Sequence, residues 1–444
     1  MTVRKKLACY LILGFAISPG CAEAQADSSP DEIVAMDLLT VKEPGSQAES
    51  RLRVIRLTTR SGTKGYGDYL DFGLPAEDEK ETLARLANRY VEQNQKIDIF
   101  LTDPSVRAVG GGHTILGQTA EQSLHVHPVT AKAPNALFLR EGFGPMWQGP
   151  GKSGLVIALQ AALLDLADEK GPCRVRLCPS ISIDRKVDGE RRLSTPDEMQ
   201  QTVASLKQAG FTAVRLELAG ALEDEMSARG ECAPYRYPQE VLGRIDSLVL
   251  ASKKAAGAEM DLVVAANMNL STDGMTYLAL RCERNEVALL ENPMALRHLP
   301  EQCEARKEFS QPLGFGGDYH AIEDFVQGIK NQAGTVLVPD AGRIGGVVML
   351  ARTADLAREA KLKVAPVVQG GPLSLLAVAR SLSGRDEVLW VTSPNQEQWL
   401  KDDGVLKIPL RMTQGSLVSE SCGIDETKFQ IRRVAQVETK TRGK

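Results

Sequence analysis

Short apolar runs alternate with amphipathic stretches over most of the second part of the chain. The runs lie at residues 174–183, 212–218, 260–268, 287–292, 312–317, 335–340, 362–368 and 387–393. From the third run onward they begin about 25 residues apart, which is the length of one strand–helix unit. Thr195, Pro196 and Glu198 predict a helix start after the first run, because they supply an N-cap, a first-turn proline and a capping-box glutamate. Eight such runs predict a (β/α) barrel, since an open parallel sheet rarely needs so many strands.

The first part of the chain has the pattern of a small α+β unit. Extended segments are predicted at 32–41, 52–59 and 63–69, with a turn at Ser61-Gly62. Apolar residues recur with helical spacing over 79–92, which predicts an amphipathic helix. Residues 103–150 are irregular and rich in Gly, His and Pro, so we expect them to form a long covering loop.

The first 26 residues are typical of an export signal. Basic residues at positions 4–6 precede an apolar run at 7–17 that is too short to span a bilayer, and small residues at 22–26 offer cleavage sites. We therefore expect an exported protein, periplasmic or extracellular. Lipid anchoring at Cys21 is the less favoured alternative.

Composition and charge narrow the class of protein. The 444 residues include 53 basic and 57 acidic side chains, for a net charge of −4, which argues against a nucleic-acid-binding chain. After the signal, no segment reaches the length of about 18 uncharged apolar residues that a transmembrane helix needs. Cleavage would leave six of the eight cysteines, and both disulfides and buried free thiols stay open as alternatives.

Three local sequences mark the second, fourth and sixth strands of the predicted barrel. They are GFTAV at 210–214, LENP at 290–293 and PDAGRIGG at 339–346. Together, in this order and at this spacing, they resemble the enolase superfamily in its mandelate racemase and muconate-lactonizing branch. The resemblance extends over nearly the whole mature chain, from residue 32 to residue 430.

The resemblance implies an α/β fold, namely a (β/α) barrel of enolase type with an N-terminal α+β capping domain that a C-terminal segment completes. It divides the chain into five parts: a signal peptide at 1–26, a capping domain with its covering loop at 32–150, a barrel at 151–395, a segment returning to the cap at 396–430, and a disordered tail at 431–444. Family members often form even-numbered oligomers, so the resemblance also implies a homo-oligomer.

The family removes a proton next to a carboxylate, and a divalent metal such as Mg²⁺ holds the enediolate charge. Its metal ligands are carboxylates at the ends of the third, fourth and fifth strands. These positions fall on Ala265, Glu291 and Gly317. The remaining ligand candidates are Glu291, Asp318 and Asn267. With two of the three family positions changed, we expect Mg²⁺ binding to be weak or lost.

The family's proton-transfer residues are also changed. Its Lys-x-Lys on the second strand corresponds to Arg215 and Glu217. Arg stays protonated and cannot act as a base, although its planar fork suits a carboxylate, whereas Glu217 could act as a base only with a raised pKa. Asp340 on the sixth strand is retained, while Val367 stands where a histidine would be. The catalytic candidates are Glu217, Asp340 and Arg215, and the substrate-binding candidates are Arg215, Asn269 and Gln369.

Several of these residues also have structural interpretations. Asp340 pairing with Arg343 or Arg215 is favoured over a catalytic role, and Glu291 remains open between structure and cation binding. Arg215 and Glu217 could form a salt bridge across the barrel mouth. His320 suits the start of the following helix better than the role of a base.

Three functions follow as hypotheses. The first is an exported enolase-type protein that binds a small carboxylate or sugar acid at the barrel mouth, with the metal-assisted proton abstraction degraded or replaced. The second is an active metal-dependent racemase or sugar-acid dehydratase with a shifted metal site. The third is a non-catalytic structural or partner-binding barrel, favoured if the 103–150 loop fills the mouth. None of the three involves nucleic acid.

Overall fold

The structure is a computed structural model. It describes residues 33–42, 52–70, 152–166, 173–187, 190–218, 221–230, 234–394, 406–408, 410–419, 424 and 430–438. The export signal with Cys21, the predicted helix at 79–92 and the loop at 103–150 lie outside these residues. In the described part of the chain, no helix is long and apolar enough to cross a membrane.

The described elements alternate between strand and helix through most of the chain. The strands are β1 (Ile33–Lys42), β2 (Leu52–Thr59), β3 (Lys64–Leu70), β4 (Val175–Ser182), β5 (Asp184–Val187), β6 (Glu190–Leu193), β7 (Ala213–Glu217), β8 (Asp261–Ala265), β9 (Leu289–Glu291), β10 (Leu313–Phe315), β11 (Val336–Leu337), β12 (Lys363–Val364), β13 (Val391–Pro394), β14 (Met412–Thr413), β15 (Ser416–Leu417) and β16 (Gln430–Glu438). The helices are α1 (Lys152–Leu166), α2 (Pro196–Gln208), α3 (Ala221–Ala228), α4 (Gln239–Ala256), α5 (Thr272–Arg284), α6 (Leu299–Ala305), α7 (Ile322–Lys330), α8 (Gly346–Glu359) and α9 (Pro372–Leu382). Each of the eight predicted barrel runs contains one strand, so that prediction is confirmed.

Four antiparallel strands form the cap sheet, in the order β16-β1-β2-β3. The three predicted extended segments of the cap are confirmed as β1, β2 and β3. The turn between β2 and β3 is also confirmed, and Gly62 adopts a φ of 89° there, a conformation that glycine tolerates without strain.

The C-terminal boundaries differ from the sequence-based expectation. The prediction of a disordered tail from 431 is wrong for residues 431–438, which belong to β16 and pair with β1. The basic residues suggested a tail, and the apolar and polar positions of this segment do not alternate strictly enough to predict a strand. The β14–β15 hairpin lies within the segment expected to return to the cap, yet β15 pairs with β4 of the barrel.

Eight parallel strands make the barrel sheet. They pair successively as β4-β7-β8-β9-β10-β11-β12, and β13 pairs with β4. Parallel bridges from Val364 to Val388 and from Val367 to Thr392 join the β12 segment to the β13 segment. Although β12 and β13 are joined only by these isolated bridges and do not pair as strands, the order of parallel neighbours is that of the (β/α) barrel that the sequence predicts.

The centre of the barrel is filled with side chains. A buried apolar cluster contains Cys178, Ala213, Val263, Leu289, Val336, Val338, Ala365, Val367 and Trp390. These residues come from β4, β7, β8 and β9 and from the β11, β12 and β13 segments, and they alternate with the residues that face the helices. A ligand can therefore bind only at an end of the barrel.

The capping box predicted for the second barrel helix is confirmed. The Thr195 hydroxyl accepts the backbone N–H of Glu198 at 3.2 Å, and the Glu198 carboxylate accepts the N–H of Thr195 at 2.8 Å. Two otherwise unpaired donors at the start of α2 are thereby satisfied.

Cap and barrel belong to one compact unit, Glu32–Lys444, and the contacts between them include two that involve residues of β3. Gly67 of β3 lies directly against α1, where an added Cβ would come within 1.8 Å of the Ala158 carbonyl oxygen. The buried carboxylate of Asp68 accepts the N–H groups of Gly371, Leu373 and Ser374 at 2.8–3.0 Å. Asp68 thus caps the start of α9, a barrel helix, from the cap sheet.

All four described cysteines are free thiols: Cys173, Cys178, Cys282 and Cys303. Burial raises the pKa of Cys173 to about 11 and also raises the pKa of Cys178 and Cys282. Of the alternatives open from the sequence, free thiols hold for these four residues, and all but Cys303 are buried. Cys232 and Cys422 lie outside the described part of the chain.

Candidate active site

The C-terminal ends of β4, β7 and β9 bring one guanidinium and two carboxylates together. Arg215 and Glu217 are two residues apart on β7 and share the face that points into the barrel mouth. Arg215 Nε donates to Glu291 Oε2 at 2.5 Å, and Arg215 Nη1 donates to Glu217 Oε1 and, at 2.9 Å, to Ser180 Oγ. Ser180 in turn donates its hydroxyl to Glu217 Oε1 at 2.7 Å.

The two carboxylates differ in their exposure to solvent. Glu291 is fully buried and the Arg215 side chain is only 6% exposed, whereas 35% of the Glu217 side chain is exposed. Burial alone would lower the pKa of Arg215, but the carboxylates of Glu291 and Glu217 raise it above its usual value, so the guanidinium stays charged. Burial raises the pKa of Glu291, and the neighbouring guanidinium opposes that rise.

One edge of Arg215 has no hydrogen-bond partner among the described residues. Its Nη2 group makes no hydrogen bond with the residues that the structure describes. It is not fully buried, so a ligand can reach it. Glu291 Oε1, in contrast, is fully buried and has no hydrogen-bond partner in the described part of the chain. The free edge of the guanidinium is therefore the polar group that this cluster can offer to a ligand.

A second cluster surrounds Asp340 after β11. Its Oδ1 accepts the N–H of Gly342 at 2.8 Å, and its Oδ2 accepts Gln369 Nε2 at 2.9 Å and Arg343 Nε at 3.2 Å. Of the two arginine partners considered for Asp340, the structure has Arg343, while Arg215 pairs elsewhere. Burial raises the pKa of Asp340 to about 6, although Arg343 and the Gly342 N–H both oppose the rise.

The two substituted metal positions supply no side-chain ligand for a metal. Ala265 offers no oxygen from its side chain. At Gly317 an added Cβ would lie 2.6 Å from Asn292 Nδ2, and Asn292 Oδ1 already accepts the Gly317 N–H at 3.0 Å. A side-chain carboxylate at position 317 would therefore displace Asn292.

Two of the three remaining ligand candidates are engaged by other protein groups. Asp318 Oδ2 accepts the backbone N–H of Leu296 at 2.7 Å, and Glu291 is held by Arg215. No hydrogen bond within the described ranges links Asn267 to either carboxylate, and no group of three or more His, Cys, Asp or Glu side chains there could hold a metal ion. The residues present therefore do not fit the family's Mg²⁺.

Asn269 lies at a different part of the mouth. Asn267 and Met268 both have left-handed backbone conformations, with φ of 51° and 66°, and they turn the chain sharply after β8. Asn269 then donates its side-chain amide to Glu223 of α3. Asn269 is thus hydrogen-bonded to Glu223, whereas Gln369 is hydrogen-bonded to Asp340.

His320 does not cap the helix that follows it, so that interpretation is wrong. Ala321 is the N-cap of α7, and the Asp324 carboxylate accepts the N–H groups of both His320 and Ala321 at 3.1 Å. A carboxylate in the first turn of a helix satisfies these donors better than a histidine ring can.

Ser180 is the site residue that the sequence reasoning missed. It lies opposite Arg215 in the β4–β7 register, two residues beyond the buried Cys178 on the same face. Alternation along β4 could have identified it, because every second side chain of a barrel strand points inward.

Fold and site together define a capped (β/α)-barrel protein whose polar side chains gather at the C-terminal ends of the strands. A family model described as enolase C-terminal domain-like matches residues 198–424, which is more than half of the chain. The chain therefore belongs to the enolase superfamily, in its mandelate racemase and muconate-lactonizing branch, as the sequence motifs indicated.

Solved structures show the same fold at low sequence identity. A proposed mandelate racemase/muconate lactonizing enzyme from Burkholderia SAR-1 has a TM-score of 0.63 and 18% identity, over 89% of this chain and 92% of that chain. A mandelate racemase/muconate lactonizing enzyme from a Sulfitobacter species has a TM-score of 0.60 and 16% identity, over 89% and 94%. A proposed dehydratase from Mesorhizobium loti has a TM-score of 0.60 and 18% identity, over 88% and 94%. No curated protein matches the chain.

Proposed function

We propose that this protein is exported and binds a small carboxylate or sugar acid at the barrel mouth, without the metal-assisted proton abstraction of its family. One observation carries the proposal. Arg215 is held rigidly at the strand ends by Glu291, Glu217 and Ser180, and its Nη2 edge is left for a ligand. A guanidinium edge is a good partner for a carboxylate, because its N–H groups are planar and always charged.

The charges around the mouth support a single small acid. Arg215 and Arg343 face three carboxylates, those of Glu217, Glu291 and Asp340. Burial raises the pKa of Glu291, which works against a full negative charge on this carboxyl and brings the cluster closer to charge balance. A mono-acid can then be accepted without a large excess of negative charge in a partly buried site.

Within this proposal, Glu217 and Asp340 are the candidates for moving a proton, and Glu217 suits that role better. Glu217 is partly exposed and bonded to Ser180 and Arg215, so it can reach a ligand held at Nη2. Asp340 is buried, with a pKa of about 6, which is closer to neutrality than an ordinary aspartate. Arg343 and Gln369 occupy its Oδ2, so its contribution is to orient Gln369 rather than to abstract a proton.

Titration calorimetry on the full chain tests the proposal. D-gluconate, lactate and benzoate serve as acids, and the neutral polyol sorbitol serves as the matched control. We expect at least one acid to bind, and Arg215→Gln to weaken that binding by about tenfold or more, since a hydrogen bond to a charged group is worth about 1.5–3 kcal/mol. Arg358→Gln, in the last turn of α8 at the opposite end of the barrel, should bind like the wild type.

Two outcomes would contradict the proposal. Acid binding that Arg215→Gln leaves unchanged would place the ligand elsewhere. Solvent deuterium entering the α position of an added acid only when Mg²⁺ is present, and lost in Glu291→Gln, would favour the metal-dependent racemase or dehydratase instead. Mass spectrometry of acids incubated in D₂O distinguishes the two cases.

Export is a separate part of the proposal, supported by the basic, apolar and small-residue pattern of the first 26 residues. Fractionation of cells that express the full chain should recover a shortened protein outside the cytoplasm. Full-length protein confined to the cytoplasm would contradict it.

A further inference from the structure

We infer that the Arg215 guanidinium is a built-in cation that replaces the divalent metal of the family, so the barrel mouth has no Glu291-dependent site for a divalent ion. The inference goes beyond the proposed function, because it concerns the cation at the centre of the site and holds whether or not an acid binds there.

The geometry places one cation between two carboxylates from different strands. Nε of Arg215 contacts Glu291 on β9, and Nη1 contacts Glu217 on β7. The single retained family ligand, Glu291, is thus already neutralised by a protein side chain. Because the arginine belongs to the chain, its positive charge is present at every metal concentration and at every pH at which the protein is folded.

The free oxygen of Glu291 does not offer an alternative point of attachment. Oε1 is fully buried and Glu291 has no exposed surface. A magnesium or manganese ion needs about six oxygen ligands and usually keeps several waters, which cannot be accommodated around an enclosed oxygen. A divalent ion there would also lie beside the guanidinium, and the two positive charges would repel each other.

Neither neighbouring strand end can supply further ligands. Position 265 carries an alanine that is fully buried. Position 317 has no space for a side chain, because Asn292 occupies it. Asp318, the carboxylate that directly follows position 317, accepts the backbone N–H of Leu296. Positions 265 and 317 therefore lack the anionic ligands of the family, and the same site contains the fixed positive charge of Arg215. The two differences from the family agree with each other.

Removing the guanidinium should restore a cation site. In Arg215→Ala the carboxylates of Glu217 and Glu291 and the hydroxyl of Ser180 would lose their common partner and surround the vacated space. Three oxygen-bearing side chains and water entering that space form a weak site for a hard divalent ion.

The experiment is a Mn²⁺ titration of the full chain, followed by the electron paramagnetic resonance signal of free Mn²⁺. The quantity measured is Glu291-dependent binding, which is the difference in bound Mn²⁺ between each protein and the same protein carrying Glu291→Gln. We expect none in the wild type, none in Arg215→Lys, which keeps a cation at this position, and about one ion per chain in Arg215→Ala. Arg358→Gln is the matched control and should behave like the wild type.

Two results would overturn the inference. One is Glu291-dependent Mn²⁺ binding by the wild type. The other is a folded Arg215→Ala variant, verified by its near-ultraviolet circular dichroism, that gains no such binding. If Arg215→Ala does not fold, the wild-type and Arg215→Lys titrations still decide, since binding by either one contradicts a guanidinium in place of the metal. Gluconate binding is measured separately, so a failure of the proposed function remains distinguishable from a failure of this inference.

Discussion

Replacing Arg215 with methionine, which is long but uncharged, should destabilise the protein by about 3–5 kcal/mol near neutral pH. The substitution leaves the carboxylate of Glu291 fully buried next to Glu217 and without its counter-charge. Breaking one side of a buried ion pair costs this much because the remaining charge has already lost its hydration. The loss should shrink as the pH falls, since protonation of Glu291 removes the unpaired charge.

The magnitude can be separated from the general effect of the substitution by a double-mutant cycle. Glu291→Met alone should cost less than Arg215→Met, because Arg215 would keep its contacts with Glu217 and Ser180. The double variant should recover much of the stability, since replacing both members of a buried pair with apolar side chains is often neutral. We expect a coupling energy of about 2–3 kcal/mol between the two positions.

Urea unfolding at pH 7 and pH 5, followed by circular dichroism and tryptophan fluorescence, gives these values where the two signals coincide. A coupling energy below about 0.5 kcal/mol would contradict this prediction, because the stability changes of residues that are not in contact usually add within that margin. So would a penalty for Arg215→Met that does not depend on pH. Either result would mean that the Arg215–Glu291 contact does not govern the electrostatics of the barrel mouth.

Three further changes test other parts of the fold. Because burial raises the folded-state pKa of Asp340 from 3.8 to about 6, the folded protein binds this proton more tightly than the unfolded chain. Asp340 should therefore lower stability by up to about 3 kcal/mol as the pH rises from 4 to 7, and Asp340→Asn should remove that part of the slope in urea titrations. Gly67→Ala should cost about 3 kcal/mol or more in thermal unfolding, because the new Cβ meets the Ala158 carbonyl, whereas Gly243→Ala, which meets nothing within 4 Å, should be neutral or stabilising. Asp68→Ala should destabilise by about 2 kcal/mol through its three abandoned N–H partners, and an unchanged unfolding midpoint would show that this cap contributes little.

Local patterns were sufficient to predict most of the fold. The eight barrel strands were predicted by the spacing of apolar runs, and the start of α2 by Thr195 and Glu198, because both signals depend only on residues near each other in sequence. The strand at 430–438 was missed for the opposite reason. Its pairing partner, β1, lies near the other end of the chain, and only that pairing distinguishes it from a basic tail.

The candidate site was predicted by residue type but not by arrangement. Position in the barrel correctly placed Arg215, Glu217 and Glu291 near one another, yet the sequence could not show that one guanidinium joins both carboxylates. That outcome depends on side-chain conformations across three strands. The hydrogen bond of Asp318 to the backbone of Leu296 was likewise hidden, because any exposed strand-end aspartate could accept such an N–H.

The pairing of β1 with β16 has a consequence for how the protein is made. β1 is the first described element to be synthesised and its neighbour β2 follows closely, but the partner of its other edge, residues 430–438, is made near the end of the chain. An unpaired strand edge is a template for association with other chains. The nascent protein therefore has an unpaired β1 edge during most of its synthesis. A chain truncated before Gln430 would have this unpaired edge permanently.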